Sequence, residues 1–116
     1  MHVKNSTNVN KEIVKSGTKT YRQVLIGPNQ GPNFAMRKFV IAPGGSMPRH
    51  KNTVEHEQYV LNGRAKIEIG ESEYEVKKDD VVFIPAGVPH CYETIGEEAF
   101  EFICVVPNKS DEIKLV

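Results

Sequence analysis

The chain has 116 residues, with 15 Lys and Arg against 15 Asp and Glu, and 39% of it is hydrophobic. This is one domain's worth of chain, with room for one modest core and a composition far from that of a disordered segment. Zero net charge and a pI near 6.9 argue against a nucleic-acid partner, and no apolar run approaches the roughly 20 residues of a membrane span. The N-terminus, MHVKNSTNVNKEIVKS, lacks the apolar stretch of a signal peptide, and two cysteines make no disulfide framework. A cytoplasmic protein with no nucleic-acid or membrane partner is expected.

Residues 1–20 are polar and read as an N-terminal arm or edge strand, ahead of a barrel domain at 21–116. Tyr21 to Ile26 predicts a strand, closed by Gly27-Pro28 and the turn-forming stretch 29–33. Phe34 to Ala42 predicts a second strand, which Pro43-Gly44-Gly45 is expected to stop. Glu57 to Leu61 is strand-like and ends at Asn62-Gly63, a strong hairpin signal. Arg64 to Ile69 alternates apolar with charged residues. Glu73 to Lys77 follows the turn at Gly70, and Val81 to Ile84 reads as a buried strand because it is continuously apolar. His90 to Thr94 and Ala99 to Val106 are the last strands, and the tail after them is polar. No window shows a helical period, so the chain predicts an all-β antiparallel sandwich or barrel of eight to ten short strands.

Three of the four histidines, His50, His56 and His90, fall at strand edges, and His2 is terminal and isolated. Imidazole is the commonest metal ligand and the usual general base near neutral pH. Spacing alone leaves a structural role for these side chains as open as a ligand role. The pattern around them is more specific. Gly44 is followed after five residues by His50, then Asn52, His56 and Gly63. Pro85, Gly87 and His90 form a second motif, Pro-x-Gly-x-x-His.

Together these motifs resemble those of the cupin family, over residues 24–107. The resemblance implies a single antiparallel jelly-roll barrel and a homodimer, as in many small cupins. His56 stands where the family's first motif carries Glu. That substitution, with the EHE triplet at 55–57 and the QVLIGPNQGPNFAMR stretch, is similar to a subgroup of small single-domain cupins with four histidines. Asn52 departs from it, because most of that subgroup carries a histidine there. The implied metal set is therefore His50, His56 and His90 with the amide oxygen of Asn52. With water in place of the Asn52 oxygen the site becomes a neutral three-histidine face, similar to that of thiol dioxygenases, which are also cupins. By the same resemblance one divalent ion is expected, Fe(II) or Mn(II) first, with Zn or Ni as alternatives. Lacking a carboxylate ligand, such an ion keeps its full charge and favours an anionic partner.

Alternation places Gln58 with His56, Tyr92 with His90, and Phe102 and Cys104 with Phe100 and Val106, making Gln58, Tyr92, Phe102 and Cys104 candidates for the pocket wall. Cys104 reads as an inert buried thiol rather than a ligand, and Cys91 should point away from the site. Arg37 and Lys38 alternate on the strand before Pro43: either one faces the interior, where it would suit a carboxylate, or both are solvated charges, the commoner case, and the residues themselves do not choose. The favoured function is a metal-dependent, dioxygenase-type oxidoreductase acting on a small organic molecule. The alternatives are a non-catalytic binder of a sugar or organic acid and a purely structural barrel.

Overall fold

A computed structural model describes residues 1–116. The protein is all β, with ten strands and one 3-10 turn at Ser6–Asn8. In chain order these are β1 (Glu12–Ile13), β2 (Thr18–Ile26), β3 (Phe34–Asn52), β4 (His56–Asn62), β5 (Arg64–Ile69), β6 (Ser72–Lys77), β7 (Val81–Ile84), β8 (His90–Ile95), β9 (Phe100–Pro107) and β10 (Ile113–Leu115). Every pairing is antiparallel, and the hydrogen-bonded path runs β6-β5-β8-β3-β9-β4-β7, with β2 and β10 also on β3 and β1 on β2. The sheet curls on itself as a jelly roll. No helix is long and apolar enough to cross a membrane.

The bend that makes this possible lies inside β3. Pro43-Gly44-Gly45 was expected to stop the strand, but the chain continues to Asn52 as one bent element. Phe34–Ile41 pairs with β9 and, in part, with β2, whereas Ser46–His50 pairs with β8 and His50–Asn52 with β10. A Cβ on Gly45 would lie 2.7 Å from the Thr18 carbonyl oxygen and 2.8 Å from that of Ala42, so the corner closes only around glycine. Pro43 and Gly44 are exposed at the outside of the bend, where they leave no ladder bond unmade in the interior.

Asn62-Gly63 does not make a hairpin. β4 pairs with β7 and β9, and β5 with β6 and β8, so the dipeptide carries the chain from one wall of the barrel to the other. Asn62 Nδ2 donates to the Ala99 carbonyl (3.0 Å), and Gly63, at φ +76°, lies flat against the same carbonyl. The true hairpin is β5–β6, turned at Gly70. β7 is not a buried strand either: Val82 and Ile84 face the core, but Val81 and Phe83 are 74% and 54% exposed. The polar tail, in which no strand was expected, supplies β10.

Alternation sets the interior. Ile41, Val60, Ala65, Ile67 and Phe100 are essentially inaccessible and form the closed end of the barrel, whereas the equally buried Ile84 lies opposite His56. Phe102 stacks between Phe39 (5.3 Å between centroids) and Tyr92 (5.2 Å), and this aromatic stack separates that core from the polar end holding the histidines. Each such pair is worth about 1 kcal/mol beyond the area it buries.

Adding a methyl group at Gly63 drives it to within 2.3 Å of a backbone oxygen at a positive φ, whereas the same change at Gly87 (φ +79°) meets nothing within 4 Å. Gly63→Ala is expected to cost about 3 kcal/mol or more and Gly87→Ala about 1 kcal/mol in urea denaturation. Equal costs would overturn the packing account.

Candidate metal centre

His50 and Asn52 reach the pocket from the end of β3, His56 from the start of β4 and His90 from the start of β8. All four are buried, between 1% and 7% exposed. The rings of His50 and His90, partners in the β3–β8 register, are 4.3 Å apart between centroids, and His56 is 5.7 Å from His90. The proline-rich turn before β8 and the segment before His50 serve the same purpose. His50 Nδ1–H donates to the Pro48 carbonyl (2.8 Å), and His90 Nδ1–H donates to the Val88 carbonyl (2.9 Å). Each bond fixes the tautomer and leaves Nε2 with its lone pair, the arrangement that supports metal ligation. His56 Nδ1 lies 3.5 Å from Cys104 Sγ, a contact that suits either tautomer, and its Nε2 has no hydrogen-bond partner.

Asn52 is held from outside. Its Nδ2 donates to Asp111 Oδ2 (3.0 Å), which turns Oδ1 inward. Asp111 also accepts from the Thr53 amide (2.9 Å) and hydroxyl (3.1 Å). Burial pushes its carboxyl up, but the hydrogen bonds from Asn52 and Thr53 more than offset this and leave it below its ordinary pKa. Asp111 and the strand after it were missed in the sequence, where the only signal was the brief alternation of Ile113 and Leu115 around Lys114.

The buried polar atoms without a hydrogen-bond partner include His56 Nε2, His90 Nε2 and Asn52 Oδ1. An orphaned buried polar group costs roughly 1–3 kcal/mol, and three of them around one cavity suit a bound group that accepts their lone pairs. The donor chemistry of neutral imidazoles with an amide oxygen fits a divalent cation. Among His, Cys, Asp and Glu alone, no group of three or more stands assembled to hold an ion. Ligation therefore draws on Asn52 or on an adjustment of these side chains.

The cavity encloses about 70 Å³. Its lower wall is Gln58, Tyr92, Phe102 and Cys104, all buried. Gln58 Nε2 donates to the Tyr92 hydroxyl (2.7 Å) and lies 3.7 Å from Cys104 Sγ. Burial, first, pushes the Tyr92 phenol well above its ordinary value, and the Cys104 thiol likewise. Neither group is poised to exchange protons near neutral pH. Cys91 lies on the other face against Glu68, and both cysteines are free. Glu55 and Glu57 are exposed. Of the adjacent cations Arg37 and Lys38 on β3, Arg37 lines the cavity, while Lys38 pairs outside with Glu101 (3.2 Å). The mouth lies between the N-terminal segment (Val14, Ser16) and β10 (Ile113, Leu115).

With fold and site described, the class of protein follows. The family model described as Cupin domain matches residues 37–106, and the chain belongs to that family. Its polypeptide is 31% identical over 83 residues to uncharacterized protein MJ1618 of Methanocaldococcus jannaschii, covering 69% of this chain and 66% of that one. It is 31% identical over 94 residues to 1-methylthio-D-xylulose 5-phosphate methylsulfurylase of Rhodospirillum rubrum, covering 81% of this chain and 60% of that one. The chain thus spans just under two thirds, or less, of these two curated relatives. Its structure is similar to that of the polyketide cyclase RemF from Streptomyces resistomycificus, with a TM-score of 0.92 at 30% identity over all of this chain and 85% of that one.

Burial, first, pushes His56 down to about 3 and His90 to about 4, with neighbouring charges adding to the effect. Both folded-state values lie below the ordinary 6.5, so in acid the unfolded chain binds protons that the folded chain refuses. Stability of the metal-free protein is full above pH 6.5 and is lost as the pH falls, by roughly 2–3 kcal/mol per ring at pH 4.5. Urea denaturation at pH 7.5 and 4.5 measures the loss. His56→Gln should remove about half of it, and an unchanged pH slope in that variant would contradict the assignment.

Proposed function

We propose that this cupin is a metal-dependent enzyme that acts on a small organic molecule, with dioxygenase-type oxidation as its reaction. The carrying observation is the set of buried polar atoms without a hydrogen-bond partner, His56 Nε2, His90 Nε2 and Asn52 Oδ1, around one cavity with His50 beside them. These four residues would hold the ion, with Fe(II) or Mn(II) favoured. Such an ion supplies Lewis acidity and, when redox-active, a route for electrons to dioxygen. The chain supplies the rest. Phe39, Phe102 and Tyr92 exclude water and orient the apolar part of the substrate. The Gln58–Tyr92 bond locks the only phenol in the pocket as an acceptor. No side chain there is placed to shuttle protons, which favours oxidation over isomerisation through a protein base.

A second reading is non-oxidative, metal-assisted rearrangement, favoured by likeness to a protein named as a polyketide cyclase. Binding without turnover is the third outcome of the same test. The purified protein is expected to take up one equivalent of Fe(II) or Mn(II). His90→Ala should weaken uptake by about 100-fold or more, and Asn52→His should tighten it. Metal content unchanged in His90→Ala would overturn the ligand assignment. With metal loaded, oxygen consumption on adding small carboxylic acids, phenols or thiols supports oxidation. Substrate conversion without oxygen uptake supports rearrangement, and saturable binding without conversion supports a binding module.

We also propose a homodimer formed through β7. This strand pairs only with β4, so its outer edge is open, and Val81, Phe83 and Tyr59 make an exposed apolar face beside it. An identical antiparallel strand across a two-fold axis satisfies both features at once. Sedimentation should show twice the chain mass, and Phe83→Glu should give the monomer. A monomeric wild type would end this proposal.

A further inference from the structure

Arg37 is the only cation of the β2–β3 region that lacks an acidic partner while facing the cavity. Lys38 pairs with Glu101, and Arg22, also at the cavity, pairs with Glu12 (3.2 Å). The guanidinium of Arg37 lies over the Phe39 ring (5.2 Å to the centroid) and donates once, from Nη2 to Cys104 Sγ at 3.6 Å. That sulfur is a weak acceptor. Arg37 Nε is buried and has no partner. A desolvated cation with an idle N–H is costly unless an anion completes it. Nε–H and Nη2–H lie on one edge of the guanidinium, the fork that a carboxylate accepts in bidentate fashion.

We propose that Arg37 anchors the carboxylate of a short-chain organic acid in this pocket, with the rest of the acid directed at the histidines. The inference deepens the function proposed above, since it names the substrate class of the same pocket. Three features define the acid. The cavity holds about 70 Å³, less than half of the roughly 150 Å³ that takes up benzene, so the enclosed part is a short chain rather than a ring. Arg37 Nη2 and His56 Nδ1 both reach Cys104 Sγ, at 3.6 and 3.5 Å, so one small molecule can touch both side chains. The cavity wall carries no Asp or Glu, which leaves the positive charge of Arg37 unopposed there.

The test is calorimetric titration of the protein with acetate, pyruvate, acetamide and inorganic phosphate, beside thermal unfolding and metal analysis. Acetate or pyruvate should bind and acetamide should not. Arg37→Lys should weaken binding about 10-fold and Arg37→Met about 100-fold, with metal content unchanged. Arg37→Met should also raise the melting temperature of the ligand-free protein, because it removes a desolvated charge that nothing balances. That gain shows that the variant folds. Carboxylates that bind Arg37→Met as well as wild type, or that fail to bind wild type at millimolar concentration, overturn the proposal. Phosphate binding with equal strength and equal dependence on Arg37 overturns the carboxylate assignment. Arg37-dependent carboxylate binding by a protein that takes up no metal would defeat the metal-enzyme reading and leave this one standing.

Discussion

The corner in β3 is the constraint on which the site depends. A strand of 19 residues cannot stay flat across a curled sheet, and this one turns where Gly45 lets the Thr18 and Ala42 carbonyls close in. Before the corner the strand supplies Ala35, Arg37 and Phe39 to the interior of one wall; after it the same strand supplies His50 and Asn52 from the other. A cation, an aromatic floor and two candidate ligands thus come from one element, with their separation set by a backbone bend. A side chain at Gly45 would displace both groups together.

Around that frame the protein tolerates an unusual amount of buried polarity. His50, Asn52, His56, Gln58 and His90 all lie within the barrel, yet only part of their hydrogen-bonding capacity is used. The satisfied half of each group points outward or along the wall, to Pro48, Val88, Asp111 or Tyr92. The unsatisfied half points at the cavity. Burial keeps His56 and His90 uncharged, the state in which an imidazole can donate a lone pair. The carboxylates that might have neutralised a cation there, Glu55 and Glu57, face solvent, and Asp111 is engaged by Asn52 and Thr53. The interior therefore sets neutral ligand groups beside Arg37, the one guanidinium of the lining without an acidic partner.

Much of this was legible in the residues, because a period of two is a local property of a strand. Alternation alone placed His56 with Gln58, His90 with Tyr92 and Phe102 with Cys104 on inward faces, as found. Motif spacing identified the jelly roll. What failed was everything decided by a distant partner. Pro-Gly-Gly reads as an end until a second wall exists for the strand to bend onto. Asn62-Gly63 reads as a hairpin until β9 and β7 claim β4. The run at 81–84 looks buried on both faces, but nothing in this chain covers the outer one. The orientation of Arg37 was within reach, since it alternates with Phe39; the rival position of Lys38 was excluded only when Glu101 appeared opposite it.

The tail shows most clearly how a site acquires parts that sequence spacing cannot reveal. Ile113–Leu115 is too short and too polar in its surroundings to be a strand unaided, and it exists as one because His50–Asn52 offers an unpaired edge. That pairing brings Asp111 opposite Asn52, and the carboxylate then decides which end of the amide faces inward. Reversed, the amide would present N–H donors to the cavity and repel a cation. The residue that departs most from the four-histidine pattern is thus the one that the chain secures with an additional segment. Imidazole carries its orientation in a bond to the local backbone, as His50 and His90 do. An amide has two chemically opposite ends, and here a charge from elsewhere in the chain chooses between them.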